Sequence, residues 1–156
     1  MEKLKILKEN YATLAKKYKL PSFQELNEEF EIEKIAEKET EVLLRHVRRC
    51  MLEKMSSVSR FFELILNPTE ANLLILSLLK DVSPETKKKI ENLYKEVSLI
   101  EIASIDLDLD YNEKNEAKFI AEASKDWKKL KANLKVVSNQ LGKSWHLKER
   151  TAEYFG

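Results

Sequence analysis

Imidazole, thiolate and carboxylate groups hold transition metals, and the chain sets one of each at helical spacing: His46, Cys50 and Glu53 stand at i, i+4 and i+7. A helix would carry all three on one face. Cys50, however, falls within a run of apolar positions, where a lone thiol behaves as a small hydrophobe. Glu53 follows Arg49 by four residues, the spacing of a helical ion pair. Packing and salt bridging therefore account for the pattern without a metal. A carboxylate-bridged two-metal bundle needs Glu-x-x-His on two helices, and Leu43 and Lys143 occupy the glutamate positions before His46 and His146.

A second candidate is the stretch IDLDLDYNE, Ile105 to Glu113, with aspartates at every second position. A calcium loop beginning at Asp106 would use Asp108 and Asp110, but it requires glycine at the sixth position and a bidentate glutamate at the twelfth. Those positions hold Tyr111 and Ala117. A β-strand is the competing interpretation, yet no other segment offers a strand to satisfy its backbone hydrogen bonds. Leu93, Val97, Ile100, Leu107 and Tyr111 extend a helical stripe through it. The stretch is thus expected to be a helix end buried on two sides, with its aspartates facing water and Asp110 capping the next helix.

The chain has no Gly-x-Ser-x-Gly elbow and no glycine-rich phosphate loop, and with 2 glycines a backbone nest for phosphate has little to build on. No catalytic residue, metal ligand or cofactor is assigned. Basic residues remain. Arg45, Arg48 and Arg49 could grip phosphate in a bidentate manner. Glu41, Arg45, Arg49 and Glu53 nevertheless form an i, i+4 series of opposite charges, and a ladder of exposed helical pairs explains them. From Tyr111 onward there are 10 Lys+Arg against 6 Asp+Glu, whereas residues 67–110 hold 5 against 9, so the chain is electrically polarised. Lys128, Lys131 and Lys135 share one helix face, and the segment after it adds Trp145, Arg150, Tyr154 and Phe155. Cations interleaved with aromatic rings suit single-stranded nucleic acid, and exposed aromatic residues equally suit a protein interface.

Helices must position all of these groups. Leu4, Leu7, Tyr11, Leu14 and Tyr18 form one stripe, which Pro21 ends by disfavouring helix at the residue before it. Ser22 and Glu25 spell a capping box for a short helix that buries Phe23, Leu26 and Phe30. A long helix from Glu33 to Leu66 follows, with Leu44, Val47, Met51, Met55, Val58, Phe62 and Ile65 in rhythm and Leu43, Cys50 and Phe61 widening the stripe. Asn67 with Pro68, and Ser83 with Pro84, read as starts of the next two helices, because proline at the first helical position lacks only an amide that would be unpaired anyway. The last stripe runs from Ile120 through Trp127 and Leu134 to Leu141, and Gly142 is a natural stop.

At 156 residues the chain fits one domain with a sizeable core. Its 28 Lys+Arg and 27 Asp+Glu leave a net charge of +1, which offers no global attraction to polyanions or anionic membrane. Lys and Glu dominate the charged residues while Gly and Pro are scarce, a composition typical of thermophile surfaces. The first residues carry charges through their opening turns and read as no signal peptide. The apolar run LLILSLL, Leu73 to Leu79, is far shorter than the ~20 residues that span a bilayer. One cysteine fits a reducing, cytoplasmic setting.

These observations predict an all-α antiparallel bundle of five or six helices in a single domain, residues 1–142, with a carboxy-terminal tail over 143–156. The expected role is that of a non-catalytic interaction protein, with a protein partner or a homo-oligomer contacted through the last helix and tail. The alternative is an RNA- or DNA-binding module using Lys128, Lys131, Lys135, Trp145 and Arg150.

Overall fold

The computed structural model describes the backbone of residues 1–38, 41–70 and 72–155, and their side chains apart from those of Glu70 and residues 145–155. Among these residues the chain is all-helical, with six α-helices, two short 3-10 turns and no strand. The helices are α1 (Glu2–Tyr18), α2 (Phe23–Phe30), α3 (Leu43–Leu66), α4 (Leu73–Leu79), α5 (Pro84–Leu109) and α6 (Glu113–Phe155). The packing resolves into two compact units, residues 1–56 with 99–127 and residues 57–98 with 128–156.

In the first unit, α1 ends where Lys19 turns left-handed, one residue before the prolyl dipeptide, and the Leu20 amide closes back on the Ala15 carbonyl at 3.0 Å. The expected capping box opens α2: Ser22 Oγ accepts from the Glu25 amide at 3.2 Å while the Glu25 carboxylate accepts from the Ser22 amide at 2.8 Å. The third helix starts later than the apolar rhythm indicates, at Leu43 rather than Glu33. Glu31 ends α2 in a left-handed conformation, and Asn27 Oδ1 accepts from the Glu33 amide at 2.8 Å. That grip winds Ile32–Ile35 into a 3-10 turn that buries Ile32 and Ile35. Tyr11, Leu26, Phe30, Leu44, Val47, Met51 and Ile120 of the same unit are also buried. Tyr11 donates to the Pro21 carbonyl at 2.8 Å, and Trp127 packs at 5.6 Å from Phe30 while its Nε1 donates to Glu29 at 2.9 Å.

In the second unit, Phe62, Ile65, Leu79, Val82, Ile90, Leu93, Val97, Leu130, Val137 and Leu141 are buried. Asn67 does not cap α4: Pro68–Glu70 forms a 3-10 turn, and Asn72 is the cap, its Oδ1 accepting from the Ile75 amide at 2.9 Å. Ser83 caps α5 as expected, accepting from the Thr86 amide at 3.1 Å. Buried Thr86 then donates to Gln140 at 3.0 Å, which holds the start of α5 against the antiparallel α6.

Gly142 does not stop the last helix. The helix α6 continues through it to Phe155, so residues 143–155 are helical and no break separates them from what precedes. A glycine stops a helix only when the residue takes a left-handed conformation, and no glycine among the described residues has a positive φ. Nothing lies within 4 Å of the position a β-carbon would take at Gly142. Gly142→Ala is therefore expected to stabilise the protein by about 0.5–1 kcal/mol, the helix-propensity difference, measured by urea denaturation. A destabilised variant would show that Gly142 serves a conformation other than helix.

Candidate interaction surface

The aspartate run is resolved by α3. Helix α5 ends with Asp106 and Asp108 in its last turn and no basic residue there, an unfavourable arrangement because a helix carboxy terminus already carries partial negative charge. The cations come from another helix. Arg45 donates through Nη2 to the Leu107 carbonyl at 2.9 Å and lies 5.1 Å from the Tyr111 ring centre. Arg48 donates from Nη2 to Asp108 at 2.7 Å, and Arg49 reaches the same carboxylate at 3.2 Å. From α6, Glu116 completes the group by accepting from Arg48 Nε at 2.6 Å and Nη2 at 3.3 Å. Arg48 and Glu116 are both at 0% exposure.

This arrangement corrects three expectations. The exposed ladder of Glu41, Arg45, Arg49 and Glu53 does not form, since Arg45 and Arg49 turn to α5 and α6, and Glu53 pairs with Lys34 at 2.7 Å. Asp108 does not simply face water. Asp110 is not the cap of α6, because Asn112 accepts from the Asn115 amide at 2.9 Å in that role. As for metal, Cys50 is buried and Glu53 is turned to Lys34, so the helical triad does not converge, nor do three metal-ligating side chains elsewhere among the described residues.

Four carboxylates are held below their usual range: Asp108 by the hydrogen bond from Arg48, Glu113 by those from Lys17 and Tyr18, Glu53 by that from Lys34, and Glu91 by that from Lys95.

With α5 anchored on its Arg48 side, its opposite face turns outward. Leu99, Ile102, Ile105 and Leu109 are 66%, 61%, 56% and 76% exposed. The expected burial on two sides is thus overturned: Val97 and Ser104 define one buried side, and the other apolar row meets solvent. Four consecutive aliphatic side chains along a helix form a contiguous patch of the kind that marks interaction sites. Sequence reasoning expected only a helix end buried on two sides and did not single out this row. The available signal was that α5 has apolar residues on two opposed faces, although one neighbour layer can cover only one.

The residues singled out earlier lie elsewhere. On α6, Lys128 and Lys135 are exposed and Lys131 is half-buried; Lys131 and Lys135 border a shallow hollow shared with Leu134, Ser138 and Asn139. Trp145, Arg150, Tyr154 and Phe155 lie on the backbone of α6, and their side chains fall outside the described residues. A hollow of about 600 Å³ lies in the second unit along α4, lined by Ile65, Leu66, Leu73, Leu76 and Leu79, with Lys80 and Lys87 at its edge. It has no convergent set of acid, base and nucleophile. The run Leu73–Leu79 forms α4 itself, with Leu79 buried and Leu73 exposed. No helix among the described residues is long and apolar enough to cross a membrane.

Two predictions concern the arginine cluster. Arg48→Met leaves the Glu116 carboxylate buried without its main partner, and is expected to cost about 3–5 kcal/mol in urea denaturation, while Arg48→Met with Glu116→Leu recovers most of that loss. Equal instability of the double variant would show that the pair's geometry, not its charge balance, matters. Carboxylates with depressed folded pKa values contribute stability above their unfolded pKa, about 4, and lose it as pH falls through the folded value. Melting temperature is therefore expected to hold from neutrality to about pH 5 and to fall below about pH 4, with Asp108→Asn showing a shallower fall. An identical acid limb in that variant would remove Asp108 from the account.

Comparison with known protein families, with curated proteins and with solved structures gives no match.

Proposed function

We propose that this chain is a non-catalytic, cytoplasmic interaction protein, and that the outward face of α5 is where a protein partner docks. The observation that carries this reading is the exposed row Leu99, Ile102, Ile105 and Leu109 on a helix whose other side is fastened by buried charge. Exposed aliphatic residues lose free energy to water at roughly 25 cal/mol per Å², and a second apolar helix face laid along them recovers it. The surface differs from the one expected from the sequence, the basic helix and its aromatic extension. A photo-crosslinking residue at Ile102, in the full chain and in living cells, is expected to give protein adducts that disappear when Leu99→Glu is added. The same probe at Lys128 is expected to give few. Absent adducts at 102, or adducts indifferent to Leu99→Glu, would overturn the reading.

Nucleic-acid binding is the second reading, favoured by the common face of Lys128, Lys131 and Lys135. Against it, that described face includes no aromatic side chain on which bases could stack. Binding to mixed single- and double-stranded RNA and DNA at two salt concentrations decides the matter, since phosphate contacts weaken steeply as salt rises. The interaction reading expects no salt-sensitive binding; binding lost in the Lys128/Lys131/Lys135 triple-alanine variant would replace it with the nucleic-acid reading.

A further inference from the structure

We propose that the partner on α5 is a second copy of the same helix, lying antiparallel. This inference rests on the docking reading above. Lys95, Leu99, Ile102 and Asp106 follow one another at spacings of four, three and four, which places them on one strip of a single uninterrupted helix. All four are exposed. The strip begins with a cation, continues with two aliphatic residues and finishes with an anion.

That order is self-complementary in only one direction. If two strips run antiparallel about a twofold axis passing between Ile100 and Glu101, Leu99 of each copy meets Ile102 of the other and Lys95 meets Asp106. The two apolar contacts are then enclosed by two identical ion pairs, the isologous form that a twofold interface must take. A parallel pairing in register sets Lys95 against Lys95 and Asp106 against Asp106, and like charges directly opposed are repelled. The two-residue apolar centre extends at each end where Leu109 crosses the stem of Asn92.

The charges in and around the strip are arranged for such a contact. The Asp106 carboxylate has no hydrogen-bond or ion-pair partner among the described residues, although it stands between the exposed aliphatic residues Ile102 and Leu109. A carboxylate placed there weakens an apolar surface unless a cation arrives opposite it. Lys95 is such a cation, with its side chain 63% exposed and within 3.0 Å of Glu91. Glu91 comes opposite Asp110 in this register, but it is already held by Lys88 and Lys95 at 3.5 and 3.0 Å, so no bare carboxylate pair arises. The seam is short. About 1,000 Å² of total buried surface is the lower bound for a specific interface, so the association is expected to be reversible in the micromolar range.

Sedimentation equilibrium of the full chain across a concentration series tests the proposal. A monomer–dimer equilibrium is expected, weakened about tenfold or more by Asp106→Lys and by Lys95→Asp, each of which turns two attractive pairs into repulsive ones. The double variant Lys95→Asp with Asp106→Lys restores opposite charges in the same geometry and is expected to recover dimerisation to within about threefold. Both substituted positions are exposed, and circular dichroism melts check that each of the three variants is folded. A chain monomeric at every concentration, or a dimer that single reversal leaves intact or double reversal does not restore, overturns self-pairing. In that event crosslinks at Ile102 to a different protein would leave the docking reading standing, and their absence would remove both.

Discussion

The buried guanidinium of Arg48 is the constraint around which the first unit is organised. An isolated charge in a protein interior is too costly to keep, so a fully buried arginine must be met by carboxylates with their geometry fixed. Glu116 meets it from α6 and Asp108 from α5, while Arg48 itself belongs to α3. Three helices are thereby tied at one point. Aliphatic contacts are not directional, so apolar packing by itself fixes the rotation of a helix less strictly than directional bonds do. Hydrogen bonds between charged groups remove that freedom.

The same cluster explains why an acidic segment can finish a helix. Aspartates in the last turn of α5 add to the negative end of its dipole, and on an isolated peptide they would fray it. Arg45 and Arg48 offset this from outside, one reaching a terminal carbonyl and the other a carboxylate. The aspartates and arginines are therefore parts of a single electrostatic unit divided between segments about sixty residues apart in the chain. Each half looks incomplete by itself: one resembles a failed calcium loop and the other an exposed salt-bridge ladder.

That division marks the limit of what could be read from the sequence. Local signals were legible: the stop at Pro21, the Ser22 and Glu25 capping box and the Ser83 cap involve atoms a few residues apart, and each predicted feature appears in place. The all-helical class followed from the spacing of the apolar residues, which reports burial directly. Boundaries that depend on a competing side chain did not follow. Asn27 seizing the Glu33 amide delays α3, and Asn112 rather than Asp110 opens α6, because near-equivalent polar residues compete and only the assembled fold selects one. Gly142 failed for the opposite reason: glycine permits a helix stop but does not impose one, and favourable residues beyond it carry the helix onward.

The candidate surface was the least legible, since apolar residues on two faces of α5 are equally compatible with burial between layers and with one face left for a partner. What distinguishes these cases is the number of neighbours, a property of topology rather than of the helix. Arg48 supplies the missing information. Asp108, held by Arg48, belongs to the side of α5 that buries Val97 and Ser104, while Leu99 and Ile102 lie outward. Had the charged cluster been replaced by aliphatic residues of similar volume, α5 could turn to bury whichever apolar row gained more area. The buried ion pair contributes little net stability against such a replacement. Its consequence is orientational: it keeps an exposed apolar row exposed, against the hydrophobic gain that rotation would offer, and so holds that face open.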